Sequence, residues 1–319
     1  MERNHNIDLV KGILILFVII GHFIPGKLTD QFSRHTIYLF HMSIFLGVAG
    51  YLSPLNKETH LKNLMKRYCE KLIVPWLLAV YVYMILYNTN INNLRTYLDL
   101  YLRPRYHLWF PIGLILFSAL TYLCLNKIKL SINYLVVISF VISLFFKLVP
   151  INTLNIPNNI EYIVKVIYRF NPEYWCFFNT GLYIRNQHNH NESPSKFNLA
   201  FSCLAFFLIF PASSYLLFKN PFSDPLFLIT FSLNIPLLYI ILTICKKELL
   251  PRFKIIEFIG INSYPFYLWH VVGKFIFSSI YNQSKFLYYL VVILWIIILG
   301  LLIRFGKKNK TINKYLLGT

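Results

Sequence analysis

Long apolar runs at near-regular intervals are the feature that most constrains this chain. Ten can be marked, over about 7–24, 36–53, 72–88, 107–125, 131–150, 168–185, 197–218, 225–245, 263–281 and 286–304. Each approaches the ~20 helical residues needed to cross a hydrocarbon core of ~30 Å. In lipid a backbone must satisfy its own hydrogen bonds, and a helix does so within one segment. The expected fold class is therefore all-α: a polytopic integral membrane protein of about ten transmembrane helices. Composition agrees. Of 319 residues, 57% are hydrophobic and 13% charged, about half the roughly 25% usual in soluble domains. Mean hydropathy is +0.55. These values exclude a soluble enzyme and a disordered chain. The sixth run is the weakest, because Arg169, Pro172 and Glu173 interrupt its start. No repeat, low-complexity tract or soluble domain breaks the pattern, so residues 1–319 read as a single membrane domain.

A net charge of +19 would suit a nucleic-acid partner in another setting. Here the cations lie in short loops between apolar runs, where membrane topology puts them, and nucleic acid is not expected as a partner. Ten spans place both termini on one side. With the N-terminus inside, 19 Lys and Arg fall in inside segments and 10 in outside loops, while Lys11 and Lys274 lie within spans. The bias predicts a multi-pass protein with both termini cytoplasmic. The first run carries Asp8 and Lys11 and lacks an A-x-A-like exit, so it reads as a retained signal anchor. Cys69, Cys124, Cys176, Cys203 and Cys245 are odd in number and form no C-x-x-C pair. Four fall in apolar runs, which reads as small buried hydrophobes rather than disulfides or metal ligands.

Ionisable residues inside spans are costly and usually face a cavity, so they carry the functional argument. The first run reads D-L-V-K-G-I-L-I-L-F-V-I-I-G-H from Asp8 to His22. Eleven helical steps return Lys11 and His22 to nearly one face, ~16 Å apart along the axis. Lys11 alone would read as a snorkelling side chain, and Asp8 as its partner. His41 is a second imidazole, in the second run. There Gly47, Ala49 and Gly50 form a small-residue patch that permits close helix packing. One of the two histidines could serve as general base, tuned by the other or by Asp8. A zinc pair lacks a third ligand at convincing spacing, and no metal is expected. In the basic link H-L-K-N-L-M-K-R-Y-C-E-K-L-I-V-P-W, Arg67 and Lys71 are four apart and share a helix face. His107 and Trp109, flanked by Arg103 and Arg105, suit an interfacial aromatic belt or, equally, a platform on which a sugar stacks. Ser263, Tyr267 and His270 fall on one helical face, which Lys274 extends by a further turn.

Together these motifs resemble the acyltransferase 3 family of integral-membrane acyltransferases, in particular its single-domain, fucose 4-O-acetylase-like branch. The matching pieces are I-D-L-V-K-G-I-L-I-L-F-V-I-I-G-H, F-H-M-S-I-F-L-G-V-A-G-Y-L, the basic link ending in V-P-W, H-L-W-F, F-F-N-T-G-L-Y-I and F-I-G-I-N-S-Y-P-F-Y-L-W-H. They occur in the family's order over nearly the whole chain. The first satisfies the family's pattern of a basic residue, ten residues and a histidine, at Lys11 and His22. Two positions depart from the second-helix pattern: Ser43 stands for its proline and Ala49 for its serine. Arg67 and Lys71, four apart, replace paired arginines three apart.

The resemblance implies transfer of an acyl group, acetyl by default, from an acyl-CoA donor to a hydroxyl of a cell-envelope polysaccharide or lipid-linked glycan, at the bacterial inner membrane. Lys11, Arg67 and Lys71 would hold the anionic donor, acetyl-CoA. His22 would act as general base, with His41 and Asp8 supporting it, and Trp109, Tyr267 and His270 would contact substrate. The rival reading of ten spans with interior polar groups is an exporter or flippase for a polysaccharide or lipid-linked sugar, without acyl transfer.

Overall fold

The computed structural model describes residues 4–27, 30–55, 60–87, 94–104, 106–149, 156–189, 196–220 and 223–318. Three of the counted cations, Arg3, Lys57 and Arg105, lie outside the described residues. Helices make up the architecture, and no strand occurs among the described residues. In chain order they are α1 (His5–Phe23), α2 (Phe32–Leu52), α3 (Leu61–Leu86), the short α4 (Leu94–Leu102), α5 (His107–Lys127), α6 (Ile132–Leu148), α7 (Asn158–Arg169), α8 (Trp175–Asn189), α9 (Leu199–Lys219), α10 (Asp224–Lys246), α11 (Lys254–Ile261), α12 (Ser263–Gln283) and α13 (Lys285–Gly306).

Seven of these, α1, α2, α3, α5, α9, α10 and α13, are long and apolar enough to cross a membrane. The other three expected runs are also helical, for different reasons short of that mark. Apolar α6 has 17 residues. The sixth run breaks at Asn171, which takes a left-handed conformation with φ of 50° ahead of Pro172. That leaves the amphipathic α7 separate from α8, which has 15 residues. The 21-residue α12 is diluted by His270 and Lys274. The chain is a polytopic, all-α membrane protein.

Local sequence explains the interruptions. A proline lacks the amide N–H and its ring clashes with the carbonyl four residues earlier. Pro75 and Pro211 are each preceded by a π-helical turn, Cys69–Ile73 and Ala205–Ile209, which absorbs that clash with an extra residue. The turn before Pro75 frees carbonyls that other elements then meet. The Tyr264 hydroxyl donates to the Leu72 carbonyl. Gly318, left-handed at φ of 65°, sits so close to the Lys71 carbonyl that a β-carbon there would lie 2.0 Å from it.

Two close helix crossings build the frame, and both depend on glycine. At the α1–α11 contact a β-carbon on Gly260 would fall 1.7 Å from the Asp8 carbonyl oxygen, and one on Gly12 would fall 2.1 Å from that of Ile256. At α2–α8 the same holds for Gly181 against Gly47 and Gly50 against Phe178, at 1.8 and 1.9 Å. The small-residue patch on α2 is thus a packing device. Asp8 packs on Gly260, Tyr264 reaches Leu72, and Lys71 meets Gly318. The start and the end of the described chain therefore share one end of the bundle, the basal end. His35, Lys147, Tyr174 and Phe227 mark the opposite, distal end, where α2 and α10 begin and α6 finishes.

Candidate functional site

The penultimate residue of α1, the first of α5 and the eighth of α12 are histidines, and the fold brings them together. Ring centroids lie 5.4 Å apart for His22–His107, 5.2 Å for His22–His270 and 5.0 Å for His107–His270. Tyr267 meets His107 at 5.1 Å and Tyr83 of α3 meets it at 5.5 Å. On the other side the Tyr38 hydroxyl lies 3.5 Å from His22 Nδ1, and the Tyr38 ring is 5.1 Å from that of His41. The layer sits toward the distal ends of α1 and α3. It is eleven residues beyond Lys11 on α1 and, through Tyr83, twelve beyond Lys71 on α3.

The backbone fixes the tautomers of two of these rings. His270 Nδ1 faces the carbonyls of Phe266 and Tyr267 at 3.0 and 2.8 Å, so it carries the proton and donates it. Its Nε2 keeps a lone pair. His41 Nδ1 likewise donates to the Ile37 carbonyl at 2.6 Å. His270 Nε2, both ring nitrogens of His107 and the Tyr267 hydroxyl are buried and make no well-formed hydrogen bond within the protein. Buried polar groups are normally paired, so four such atoms around one point mark a place built for something else. His107 is 6% exposed and His270 0%, whereas His22 keeps partial exposure. His22 is thus the imidazole of the three that a ligand reaches first.

Three aromatic side chains lock this layer from behind. The Trp76 indole donates to the Leu108 carbonyl at 2.7 Å, next to His107. Trp295 donates to the carbonyl of His270 itself, and Tyr288 to that of Phe23, next to His22, each at 3.0 Å. A fourth, Tyr83, donates to Leu268 at 2.9 Å. Each imidazole therefore has a pin on its own peptide or a neighbouring one.

Of the residues expected from sequence, His22, His41, Tyr267 and His270 fall in or beside this layer. Lys274 stands one turn past His270, within electrostatic reach of His22. Asp8 does not join them. It pairs with Lys11 at 3.3 Å and lies fourteen residues from His22, ~21 Å along the helix. Arg67 and Lys71 are exposed on the basal stretch of α3. Trp109 is 8% exposed and stacked on Tyr174 at 5.7 Å and 14°. Its ring is a wall of the site and offers no open face to a sugar. His107, expected at the interface, is instead a full member of the cluster. The signal available for it was an imidazole opening an apolar run, a weaker cue than the one that singled out His41, which lies within its run. Tyr38 went unremarked although it precedes His41 by three residues on one face. No group of three His, Cys, Asp or Glu side chains has metal-holding geometry among the described residues.

Apolar helices closed around three converging imidazoles define a polytopic membrane protein with a buried polar cluster among its helices. Comparison with known proteins gives that class a family: a model described as an acyltransferase domain, acyltransferase 3, matches residues 4–305, and the chain belongs to that family. It is also similar to the nodulation protein NolL of Mesorhizobium japonicum, 43% identical over 59 residues, and to NolL of Sinorhizobium fredii, 40% identical over 59 residues. Each match covers 16% of this chain and 16% of the relative. No solved structure matches the chain.

Proposed function

We propose that this protein is an O-acyltransferase, most simply an O-acetyltransferase, that moves an acyl group from acyl-CoA to a hydroxyl of a cell-envelope polysaccharide or lipid-linked glycan across the bacterial inner membrane. The observation that carries the reading is the His22–His107–His270 cluster, with buried ring nitrogens that make no well-formed hydrogen bond. Family membership supports acyl transfer. The separation of cations from imidazoles supports a donor that spans them, since Lys11 and His22 share one face of α1 ~16 Å apart, the order of length of an extended pantetheine arm.

In this reading the basal end is cytoplasmic. Lys11 and Lys71 attract the donor's phosphates as point charges and Arg67 through its planar guanidinium, and the thioester reaches the imidazole layer. The acceptor arrives from the distal side. His22 takes the proton of the acceptor hydroxyl as its oxygen attacks the thioester carbonyl. His107 and the Tyr267 hydroxyl, whose polar atoms make no well-formed hydrogen bond within the protein, can turn a donor toward the oxygen that gains charge, the kind of stabilisation that dominates acyl transfer. Collapse expels the CoA thiolate, which recovers the proton from His22. An ester and free CoA result, and the enzyme is regenerated.

The test is to give purified protein labelled acetyl-CoA with envelope glycans and to follow label into ester. Label in the glycan, dependent on His22, is expected. Acetyl-CoA left unconsumed with every acceptor would favour the exporter reading instead.

A further inference from the structure

Next to the imidazole layer, on its distal side, lies a cavity of about 250 Å³ whose walls include His35, Tyr38, Lys147, Tyr174 and Phe227. It forms where α2 and α10 begin, where α6 ends and just before α8, so several chain segments converge on it without any of them closing it. The volume is that of about eight waters at ~30 Å³ each, the scale of one sugar ring and well short of a nucleotide or a lipid tail.

Its walls carry polar groups among apolar side chains that include Leu39, Leu217 and Phe231. Another cavity, of about 360 Å³ between α1, α2 and α10, is bounded entirely by apolar side chains such as Val10, Phe17, Phe40 and Ile241, and lipid chains suit it. In the distal cavity Tyr174 lines the wall and is partly buried. One face of its ring is backed by Trp109. Lys147 is held at 3.7 Å by the carboxylate of Glu173, whose side chain is 12% exposed, and lies 4.7 Å from the Phe227 ring centroid. His35 Nδ1 is buried and without a hydrogen-bond partner. An aromatic platform beside a paired ammonium and carboxylate is the chemistry that binds a polyhydroxylated ring: apolar ring face to aromatic ring, hydroxyls to donor and acceptor. Because Glu173 already neutralises Lys147, the site favours a neutral ring over a charged one. Tyr38 lines this cavity and also reaches His22 Nδ1, which links the two places directly.

We infer that this cavity is the acceptor subsite, taking a neutral sugar ring against Tyr174 with its hydroxyls toward Lys147, which Glu173 holds in place, and delivering one hydroxyl past Tyr38 to His22. Delivery to His22 rests on the acyl-transfer reading; binding of the ring does not.

The experiment uses the full chain in detergent or nanodiscs with two readouts. Neutral methyl glycosides of several hexoses and deoxyhexoses are titrated while indole fluorescence is followed, because Trp109 backs Tyr174. The same glycosides then serve as acceptors with labelled acetyl-CoA. Saturable binding is expected, weakened roughly tenfold in Tyr174→Ala and retained in Tyr174→Phe, which keeps the platform. The KM for the glycoside should rise with it while the KM for acetyl-CoA holds. Glycoside binding without acyl transfer would sink the functional reading and leave the subsite standing. Acyl transfer whose glycoside KM is unmoved by Tyr174→Ala, or a methyl glucuronide bound more tightly than the neutral ring, would overturn the subsite. A Tyr174→Ala protein that elutes aggregated is set aside in favour of Glu173→Gln, which must weaken neutral glycosides by at least a few-fold.

Discussion

The two ends of α1 treat their polar residues in opposite ways. At the basal end Lys11 keeps 20% of its side chain in contact with the surroundings and has Asp8 for a partner, and Arg67 and Lys71 on α3 are exposed. Toward the other end His22 joins two fully sealed imidazoles, and the aromatic pins hold the backbone on which they stand. Exposed charges are mobile, screened by salt and individually worth little. Buried neutral groups that lack partners are costly unless a ligand satisfies them. The basal end therefore reads as a surface that attracts, and the imidazole layer as a machine whose parts must be placed to within a fraction of an ångström. Substitutions should separate the two: large effects on turnover at one end, modest effects on donor affinity at the other.

The largest effect is expected at the layer. His22→Ala should lower acyl transfer by ~10²–10⁴-fold, the usual weight of a general base, with acetyl-CoA affinity nearly unchanged in an equilibrium binding assay. Turnover that survives this substitution would remove His22 from the chemistry. His107→Ala should follow it, at ~10- to 1,000-fold in kcat, if that ring donates to the developing charge. A loss confined to KM would instead make His107 part of a binding wall.

The pins come next. Trp295→Phe keeps an aromatic ring but deletes the N–H that reaches the His270 carbonyl. One hydrogen bond is worth about 1 kcal/mol, so kcat should fall roughly three- to tenfold while thermal stability drops by only a few degrees. The readout that distinguishes positioning from packing is the KM for donor and acceptor, which should stay put. Equal losses in stability, KM and kcat would mean a general loosening.

The same contrast decides how much was legible in the sequence. The apolar runs foretold the helices because length and hydropathy are local properties, and the glycine patch on α2 foretold a close crossing for the same reason. His22 and His270 stood out because an ionisable residue in an apolar run is itself the anomaly. Their convergence with His107 was not readable, since no spacing relates α1, α5 and α12. His107 begins its run instead of interrupting it, so position alone left it at the interface. The aromatic pins were likewise hidden: Trp76, Tyr288 and Trp295 look like ordinary lipid-facing residues until their carbonyl partners are known. The break of the sixth run at Asn171 and Pro172 was visible as a weakness, but not as the separation of an amphipathic α7 from α8.

Smaller effects belong to the basal end. Lys11→Ala should raise the KM for acetyl-CoA about three- to tenfold, consistent with loss of one partly desolvated charge contact to phosphate, and leave the acceptor KM unaltered. An equal rise in both would argue that Lys11 supports the fold of α1 and not the donor. Arg67→Ala and Lys71→Ala, removing exposed charges, should each stay within about threefold, and raising the salt concentration should erase most of the difference.

Asp8 is where the comparison is sharpest, because the two readings of it predict opposite signs. As a partner of the base it would have to act over ~21 Å of helix, past Lys11 and then nearly three turns of apolar side chains and glycine. As the partner of Lys11 it holds back a charge that the donor needs. Asp8→Asn keeps the shape of the side chain and removes its charge. Freed from the pair, Lys11 should bind phosphate slightly better, lowering the KM for acetyl-CoA by about twofold, the scale of a partly exposed ion pair, with kcat steady. A fall in kcat of the size expected for His22→Ala would instead join Asp8 to the chemistry, and would mean that the distance between the two ends of α1 is bridged in a way the packing of this bundle does not provide.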